Sequence, residues 1–326
     1  MDHLAVSVVV PTCGRPELLN RCLRALCYQT LAAEHYEVII VDDRPNPKTE
    51  EIVAAWRRWI TPGGAALIYL PNRGPHGPAA ARNRGWRAAH SGIIAFTDDD
   101  TVPDARWLEK GLAALGSSGE VVRGRIVMPL DGMPTDYERD AKQLETADFV
   151  TANCFLRKQM LERLQGFDER FRMAWREDSD LYFRLLDLGV EVIQAPDAVV
   201  VHPVRPARWG VSISQQKKIL FDALLYKKHP LLYRQKIRAQ PRWDYYGIAA
   251  TLLAMPLAIA LGSLPLAVAA GVGWLFLTAR FCMRRLRGTS MTLSHIGEMI
   301  VTSALIPPCA LFWRLVGALR FRVPFT

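Results

Sequence analysis

Three consecutive aspartates, Asp98, Asp99 and Asp100, directly follow the apolar run Ile93–Phe96. If that run is a buried strand, the aspartates lie at its carboxyl end, where open α/β sheets bind ligands. Three adjacent anions repel one another, so a cation would stabilise them, and oxygen ligands suit Mg²⁺ or Mn²⁺ shared with substrate phosphates. A solvated acidic turn would explain the same residues, and the spacing favours the metal site over it.

Two other acidic groups occupy positions that suit binding or catalysis. Asp42 and Asp43 follow the apolar run 38–41, and Glu177 and Asp178 precede leucines with helical spacing. The first pair could bind a nucleoside or cap the loop that follows it. In the second pair, a carboxylate at the start of a helix could act as a general base, or could simply stabilise the positive end of that helix. Residue type and spacing leave these alternatives open.

A loop rich in glycine and proline, residues 72–78, enters a helical pattern that contains Arg82. Helix N-termini and arginines both favour phosphate groups. The sequence has no G-x-G-x-x-G after its first apolar run and no G-x-x-x-x-G-K-[ST]. These two absences disfavour dinucleotide dehydrogenases and P-loop NTPases.

The elements that position these side chains alternate between strand and helix patterns. Short apolar runs typical of buried parallel strands occur at residues 6–10, 38–41, 67–70 and 93–96. Patterns with a period of about 3.6 residues lie between them, at residues 16–29, 49–60 and 78–90. We therefore predict an α/β fold with a mostly parallel sheet and helices on both faces. The polar stretch 128–146 predicts a long loop.

The charge of the chain is unevenly distributed. Residues 1–204 carry 24 basic and 29 acidic side chains, whereas residues 205–326 carry 17 basic and 3 acidic ones. The basic part contains residues 245–279, a run of 35 residues without a charge. A transmembrane helix needs only ~20 apolar residues, so this run predicts membrane attachment. Because the basic residues border apolar segments rather than an aromatic-studded groove, nucleic acid is not an expected partner.

These patterns predict three regions along the chain. They are a catalytic domain (1–204), a basic amphipathic segment at the membrane interface (205–242) and a membrane-associated region (243–326). Within the last, a turn at residues 262–265 predicts a helical hairpin over 245–280, and residues 299–320 predict an interfacial or re-entrant helix. The N-terminus has no signal-peptide pattern, so we expect the catalytic domain in the cytosol, at the inner membrane of the cell.

Six short motifs occur in a fixed order along the chain. They are VVVPTCGRP (8–16), VDD (41–43), GPAAARNRG (77–85), FTDDD (96–100), GFDE (166–169) and ED (177–178). This is the order found in family 2 glycosyltransferases, and the chain resembles that family over residues 6–203. Each motif is degenerate by itself, but the ordered series is specific. The resemblance implies a GT-A fold that binds a nucleoside diphosphate sugar and a divalent metal.

The resemblance also implies which residues lie near the nucleotide. They are Pro11, Thr12, Arg15, Asp42, Asp43, Arg82, Asp98 and Asp99. Asp42 or Asp43 would lie near the base, and Arg82 would lie close to the diphosphate. Residues 44–47, RPNP, replace the more usual Gly-Ser after the aspartate pair, so the base contacts depart from the family pattern.

The same resemblance assigns the metal ligands and the base. Asp98 and Asp100 match the D-x-D motif, which binds Mg²⁺ or Mn²⁺. His202 lies where some GT-A enzymes place a further metal or diphosphate ligand, although a structural role for it is an open alternative. Asp178 matches the aspartate that serves as catalytic base, with Glu177 behind it.

Together, the resemblance and the apolar segments predict an inverting, metal-dependent glycosyltransferase of the EC 2.4 class. Its donor would be a nucleoside diphosphate sugar, and its acceptor a hydroxyl of a lipid or lipid-linked glycan at the cytosolic membrane face. Two alternatives are a catalytically inactive membrane scaffold on the same fold and a transferase that acts on a soluble glycan or peptide. The sequence lacks Q-x-x-R-W, which argues against processive polymer synthesis.

Overall fold

The computed structural model describes residues 4–60 and 64–325, and its described strands form one mixed sheet. The strands are β1 (Val6–Thr12), β2 (Tyr36–Asp42), β3 (Ala66–Pro71), β4 (Ile93–Phe96), β5 (Val102–Pro103), β6 (Val121–Val127), β7 (Cys154–Arg157) and β8 (Val192–Val201). Their order in the sheet is β3-β2-β1-β4-β7-β6-β8-β5. The four apolar runs that predicted parallel strands form β1 to β4, which are all parallel.

The second half of the sheet contains both strand directions. β7 is antiparallel to β4 and to β6, β8 is parallel to β6, and β5 is antiparallel to β8. Consequently β1, β2, β3, β4, β6 and β8 all run in the same direction. Their carboxyl ends lie at one edge of the sheet, which is where such sheets bind ligands.

Helices follow most of the strands along the chain. They are α1 (Pro16–Cys27), α2 (Pro47–Ile60), α3 (Pro78–Ala88), α4 (Trp107–Leu115), α5 (Asp136–Ala141), α6 (Lys158–Arg163), α7 (Glu177–Asp187), α8 (Val211–Gln215), α9 (Leu220–Lys228), α10 (Pro230–Leu232), α11 (Trp243–Ala260), α12 (Leu264–Leu286) and α13 (Leu293–Phe321). Pro16 and Pro78 start α1 and α3. At the first position of a helix a backbone N–H has no acceptor within the helix, so proline loses nothing by lacking it, and its fixed φ suits the helix.

Helix α3 packs directly against the sheet at Gly85. A Cβ atom on Gly85 would lie 2.3 Å from Cγ1 of Val9 in β1 and 3.1 Å from Cγ2 of Val41 in β2. A side chain there would therefore push the helix away from the two strands. The close approach positions Arg82, one turn earlier in α3, near the carboxyl ends of the same strands.

Contacts divide the chain into two units. The first contains residues 1–129 and 143–204, and the second contains residues 130–142 and 205–326. The first has a continuous apolar core that includes Val9, Ile39, Phe96 and Leu156 from neighbouring strands. The predicted domain limits at 204 and 242 stay predictions.

The long loop predicted over residues 128–146 is wrong for most of its length. Residues Asp136–Ala141 form α5, and Lys142–Thr146 form a 3₁₀ turn. Thr135 and Glu138 start α5 with a capping box, in which each side chain bonds the other residue's backbone amide. This S/T-x-x-E signal is present in the sequence, within a stretch that otherwise has the polar composition of a loop.

Residues 130–142 are fixed within the second unit by polar contacts. Arg285 donates to Oδ2 of Asp136 from two nitrogens, at 2.8 and 3.1 Å, and also to Oγ1 of Thr302 at 2.6 Å. Arg139 donates to the backbone oxygen of Arg287. Arg285 is only 7% exposed, so its ion pair with Asp136 is shielded from water.

The second unit contains three helices long and apolar enough to cross a membrane. They are α11, α12 and α13, with 18, 23 and 29 residues. Gly262, at φ +72°, lies in the turn between α11 and α12. The predicted membrane hairpin over 245–280 stays a prediction. Helix α13 continues through Pro307 and Pro308 and is much longer than the 15-residue uncharged stretch it contains.

The Asp136–Arg285 contact predicts a local change in hydrogen exchange. Asp136→Asn removes the charge opposite a buried guanidinium, so we expect backbone amides of residues 134–142 to exchange at least ~10-fold faster, as a loss of ~1.4 kcal/mol would produce. Asp131→Asn makes the same change at an exposed position of the same segment and should leave exchange as in the wild type. Equal protection in both variants would contradict the anchoring role.

Candidate active site

The carboxyl end of β1 is joined to the aspartate triplet through the middle aspartate. Thr12 Oγ1 donates to Asp99 Oδ2 at 2.7 Å, and Arg15 Nη2 lies 2.9 Å from Asp99 Oδ1. Asp99 is fully buried, and burial raises the pKa of its carboxyl to about 7 even though Arg15 and Thr12 favour the ionised form. The Asp99 carboxylate therefore points towards Thr12 and Arg15, away from the carboxylates of Asp98 and Asp100.

The flanking aspartates meet a histidine from another strand end. Ligand atoms of Asp98, Asp100 and His202 all lie within 4.8 Å of one another. His202 follows β8, and its backbone amide donates to the oxygen of Val127 at the end of β6, at 2.8 Å. Its ring Nδ1 is buried and has no hydrogen-bond partner among the described residues. Two carboxylates and an imidazole form a donor set that fits Mn²⁺, and the carboxylates also suit Mg²⁺.

Arg82 connects this cluster to helix α7. Its Nη2 donates to Asp98 Oδ1 at 2.7 Å, and its Nη1 donates to Glu177 Oε1 at 3.0 Å. Arg82 is 3% exposed, so these charge-assisted bonds are shielded from solvent. Burial opposes ionisation of Asp98, but Arg82, with further contributions from His202 and Arg15, lowers the pKa of that carboxyl.

The start of α7 brings two carboxylates with different surroundings to this edge. Glu177 is buried, its pKa is raised to about 7 by burial and by Asp178, and Arg82 opposes that shift. Asp178 is half-buried, and its Oδ1 accepts from the Ser179 amide at 2.6 Å. Burial also raises the pKa of Asp178, which the Ser179 amide and Arg176 partly offset.

The backbone before these carboxylates is strained. Arg176 has φ +75°, in the left-handed region that favours glycine. Strain of this kind costs of order 1–3 kcal/mol and is concentrated at functional sites.

Asp42 and Asp43 hold loops at the end of β2. Asp42 accepts from the amides of Arg44 and Asn46, both at 3.3 Å, and from the Tyr69 hydroxyl at 3.1 Å. The loop-capping alternative therefore explains the buried side chain of Asp42 without a ligand.

Asp43 connects β2 to the Gly/Pro-rich loop. Its two oxygens accept from the Gly77 amide at 3.1 and 3.0 Å, and Oδ1 also accepts from Asn72 at 2.9 Å. The Asp43 amide in turn donates to the Thr12 oxygen at 2.8 Å, which keeps β2's end beside β1's end. Asn72 lies in the Gly/Pro-rich loop described from the sequence. No sequence pattern, however, predicts that Asn72 bonds Asp43 or that Tyr69 bonds Asp42.

Pro11 lies inside β1, a strand with neighbours on both sides. It pairs with Val41 of β2, but β4 pairs with β1 only as far as Val9. On that side β1 is already free of a partner strand at Pro11, so a residue without an N–H is tolerated. Pro11 and Thr12 are thus the last two residues of β1, and Thr12 contacts the aspartate triplet.

Two family models match the chain and together cover most of it. The model "Glycosyl transferase family 2" matches residues 7–167, and "Glycosyl transferase family group 2" matches residues 135–316. The chain belongs to glycosyltransferase family 2. It is therefore an enzyme of the EC 2.4 class that transfers a sugar from a nucleotide sugar, and the family and the enzyme class predicted from its motifs are confirmed.

The alignment with this family 2 transferase covers most of the length of one relative and a small part of another. It is 27% identical to the glycosyltransferase AglE of Haloferax volcanii, over 66% of this chain and 71% of AglE. It is 25% identical to the O-antigen biosynthesis protein RfbC of Myxococcus xanthus, over 64% of this chain but only 18% of RfbC.

The fold of the transferase matches a solved structure. The mannosyltransferase PcManGT from Pyrobaculum calidifontis, solved in complex with GDP-Man and Mn²⁺, superposes with a TM-score of 0.61 at 20% identity, over 95% of this chain and 86% of PcManGT. This match confirms the predicted GT-A fold, with a mostly parallel sheet followed by long apolar helices.

The Thr12–Asp99 contact predicts a difference between two identical substitutions. Thr12→Val leaves a buried carboxylate without one donor, so we expect the free energy of unfolding to fall by ~1–3 kcal/mol. Thr30→Val removes a hydrogen bond to Glu109 that is exposed, and should change stability by less than ~0.5 kcal/mol. Thermal unfolding of both variants in the same detergent measures the difference, and equal unfolding temperatures would show that the Asp99 contact contributes little.

Proposed function

We propose that the transferase is metal-dependent and inverting, and that it moves a sugar from a nucleoside diphosphate to a hydroxyl. The observation that carries this proposal is Arg82, which bonds both Asp98 of the acidic cluster and Glu177 beside Asp178. A site for diphosphate and a carboxylate base are thereby held together at one sheet edge. Inverting transfer requires these two groups in one site.

The metal would be held by Asp98, Asp100 and His202. These three offer ligand atoms within 4.8 Å of one another, from two separate strand ends. A divalent cation bound there would neutralise the charge that develops on the leaving diphosphate. PcManGT was solved with GDP-Man and Mn²⁺, which supports a sugar diphosphate donor and the choice of cation.

The remaining donor contacts would come from the ends of β1, β2 and α3. The proposed nucleotide-binding residues are Pro11, Thr12, Arg15, Asp42, Asp43, Arg82, Asp98 and Asp99. Arg15 is partly exposed and lies 3.6 Å from Asp100, so its guanidinium can reach a phosphate beside the metal ligands. Asp42, Asp43 and Asp99 would act by shaping the loops around the nucleotide, because their oxygens already accept protein donors.

Asp178 would act as the base. Glu177 is buried and bonded to Arg82, whereas Asp178 is more accessible, and burial raises its pKa towards the range of an effective base. The acceptor oxygen forms a bond to the anomeric carbon as the bond from that carbon to the diphosphate oxygen breaks. The proton of the acceptor hydroxyl passes to Asp178, and the bonding pair leaves with the diphosphate.

The acceptor would be a lipid or lipid-linked glycan. The chain that bears the active site also bears three helices able to cross a membrane, so lipid head groups are present near it at high effective concentration. The excess of basic residues beyond residue 204 suits the anionic cytoplasmic leaflet and supports a catalytic unit in the cytosol at the inner membrane.

Replacing the base should abolish transfer but not binding. We expect Asp178→Asn to lose ~10²–10⁴-fold in rate because no group removes the acceptor proton, while nucleotide affinity stays as in the wild type. Asp187→Asn, at the exposed end of α7, is the matched control. The assay follows release of nucleoside diphosphate from a panel of sugar donors with a total lipid extract or a soluble glycan extract as acceptor. Wild-type turnover in Asp178→Asn would refute the assignment, and turnover only with the soluble extract would refute the lipid acceptor.

The metal ligands predict a cation-dependent donor affinity. Nucleoside diphosphate should bind at least ~10-fold more weakly after chelation or in Asp100→Ala, because the phosphates lose their counter-charge. Asp104→Ala changes an exposed aspartate four residues later and should bind as the wild type does. Calorimetric titration with and without Mn²⁺ measures this, and an affinity indifferent to both the chelator and Asp100→Ala would exclude the metal role.

A further inference from the structure

Helix α13 is bonded to polar and charged groups in its first half. Glu298 Oε1 accepts from the Gly210 amide at 2.7 Å. Five residues later, Oγ of Ser303 accepts from Arg285 at 3.1 Å, and the same guanidinium is paired with Asp136 of α5 at 2.8 Å. Because α5 is a polar helix with the sequence DYERDA, this side of α13 contacts polar protein rather than hydrocarbon.

Two lysines contact the second half of α13. The ammonium of Lys217 lies over the Trp313 ring, 5.6 Å from its centre, and Nζ of Lys227 donates to the backbone oxygen of Phe321 at 2.8 Å. Both lysines are exposed. From Ser303 to Trp313 the helix rises only about 15 Å, half the ~30 Å thickness of a hydrocarbon core. A crossing α13 would therefore place at least one of these charged contacts inside the core.

The companion segment, residues 210–228, lies beside α13 and follows it in the same direction. Its first residue contacts the start of α13, and Lys227 contacts the end. Between them the packing is close, since a Cβ atom on Gly317 would lie 2.8 Å from the Leu220 oxygen and 3.0 Å from Cβ of Ala223. If α13 crossed the bilayer, the companion segment would have to cross with it. Charged side chains are costly and rare at that depth.

The base of the α11–α12 hairpin carries charges that indicate the level of a membrane surface. Arg242, just before α11, is paired with Asp244 at 2.8 Å, and Arg284, near the end of α12, is paired with the same carboxylate. Arg284 is exposed, and exposed charges lie outside the hydrocarbon. In an inserted hairpin these two helix ends therefore lie at the membrane surface.

The middle of α13 packs against that base. Tyr245 and Phe281, at most three positions from the charged residues, have ring centroids 5.3 Å apart. They form one apolar cluster with Ile306 and Ala310, which lie in the middle of the 29-residue helix α13. From this level, a crossing α13 would carry its second half, and the lysine contacts on it, into the core.

The opposite side of α13 is apolar and exposed. Six side chains, each more than 40% exposed, form an apolar stripe: Ile300, Val301, Leu305, Phe312, Leu315 and Leu319. Their spacings of three, four and seven keep them on one side of the helix, over about 28 Å. The hairpin belongs to the same unit, so the acyl chains that would surround it are also available to the stripe.

We propose that α13 does not cross the bilayer but lies in its plane, with the apolar stripe against lipid acyl chains and the companion segment at the level of the head groups. Exposed lysines at that level contact lipid phosphates. The surface thus fits a phospholipid monolayer. This placement selects the interfacial alternative for residues 299–320 over a re-entrant one. It rests on membrane attachment through α11 and α12 and uses no residue assigned to sugar transfer.

The test measures depth along α13 in vesicles of phosphatidylcholine and phosphatidylglycerol. Spin labels are attached to the full chain at Ile300→Cys, Phe312→Cys or Leu319→Cys. The background removes the three cysteines that are not buried: Cys13→Ala, Cys27→Ala and Cys309→Ala. Each label gives the ratio of its collision rates with oxygen, which concentrates in hydrocarbon, and with a nickel chelate, which stays in water.

We expect the same ratio at all three positions, between the ratios of two controls. Leu253→Cys, in the middle of α11, reports the core, and Ser118→Cys, in an exposed turn of the first unit, reports water. A crossing α13 would give a ratio at Phe312 as high as at Leu253 and several-fold lower ratios at Ile300 and Leu319, which would overturn the proposal.

Three other outcomes would also overturn it. Ratios as low as at Ser118 would show that the stripe lies in water, and labels that collide with neither reagent would show that a second copy of the chain covers it. An aqueous ratio at Leu253 would remove the membrane attachment on which the placement rests.

A second measurement needs no cysteine variants. Reporters that are active on only one side of a bacterial inner membrane, alkaline phosphatase and green fluorescent protein, are fused before residue 1 or after residue 326. The hairpin returns the chain to the side on which it entered, so we expect both ends on the same side. Ends on opposite sides would show that α13 crosses.

Discussion

The convergence of carboxylates at one sheet edge is the constraint on which the rest of the structure depends. Asp98, Asp99, Asp100 and Glu177 are brought to the ends of parallel strands or to the start of α7, and burial disfavours the charged forms of Asp98, Asp99 and Glu177. The protein offsets this cost with Arg82, which is buried, and with Arg15, which is partly exposed. In the proposed mechanism, a divalent cation would supply further positive charge beside these carboxylates, and the phosphates of a nucleoside diphosphate sugar would bind there.

The same constraint explains why the three adjacent aspartates have different contacts. Identical side chains in a row would compete for one cation, yet Asp99 accepts a hydrogen bond from Thr12 and lies closer to Arg15, at 2.9 Å, than Asp100 does, at 3.6 Å. Asp98 and Asp100 are thereby left to face His202. Arg82 connects this cluster to α7, because it bonds both Asp98 and Glu177. The neighbouring residue, Asp178, therefore lies at the same edge of the sheet.

Local signals predicted four of the eight described strands and the family to which the chain belongs. The β-branched runs gave β1 to β4, and the FTDDD and ED motifs placed the acidic residues, because hydrophobic period and motif order are properties of short segments. Contacts between distant residues could not be predicted in this way. Arg82 and Glu177 are 95 residues apart, and Asp136 and Arg285 are 149 apart. The sequence near Asp136 does not indicate that residues 130–142 belong to the second unit. The contact with Arg285 depends on the path of the chain in three dimensions, which a local pattern does not contain.

The account can be tested most directly by locating the metal. Crystals of the full chain grown with Mn²⁺ and a nucleoside diphosphate, measured at the manganese absorption edge, should show one anomalous peak between the diphosphate and the side chains of Asp98, Asp100 and His202. Arg82 should remain bonded to Glu177 in the same crystals. A peak bound elsewhere, or an ordered diphosphate with no manganese beside the aspartates, would contradict the central claim.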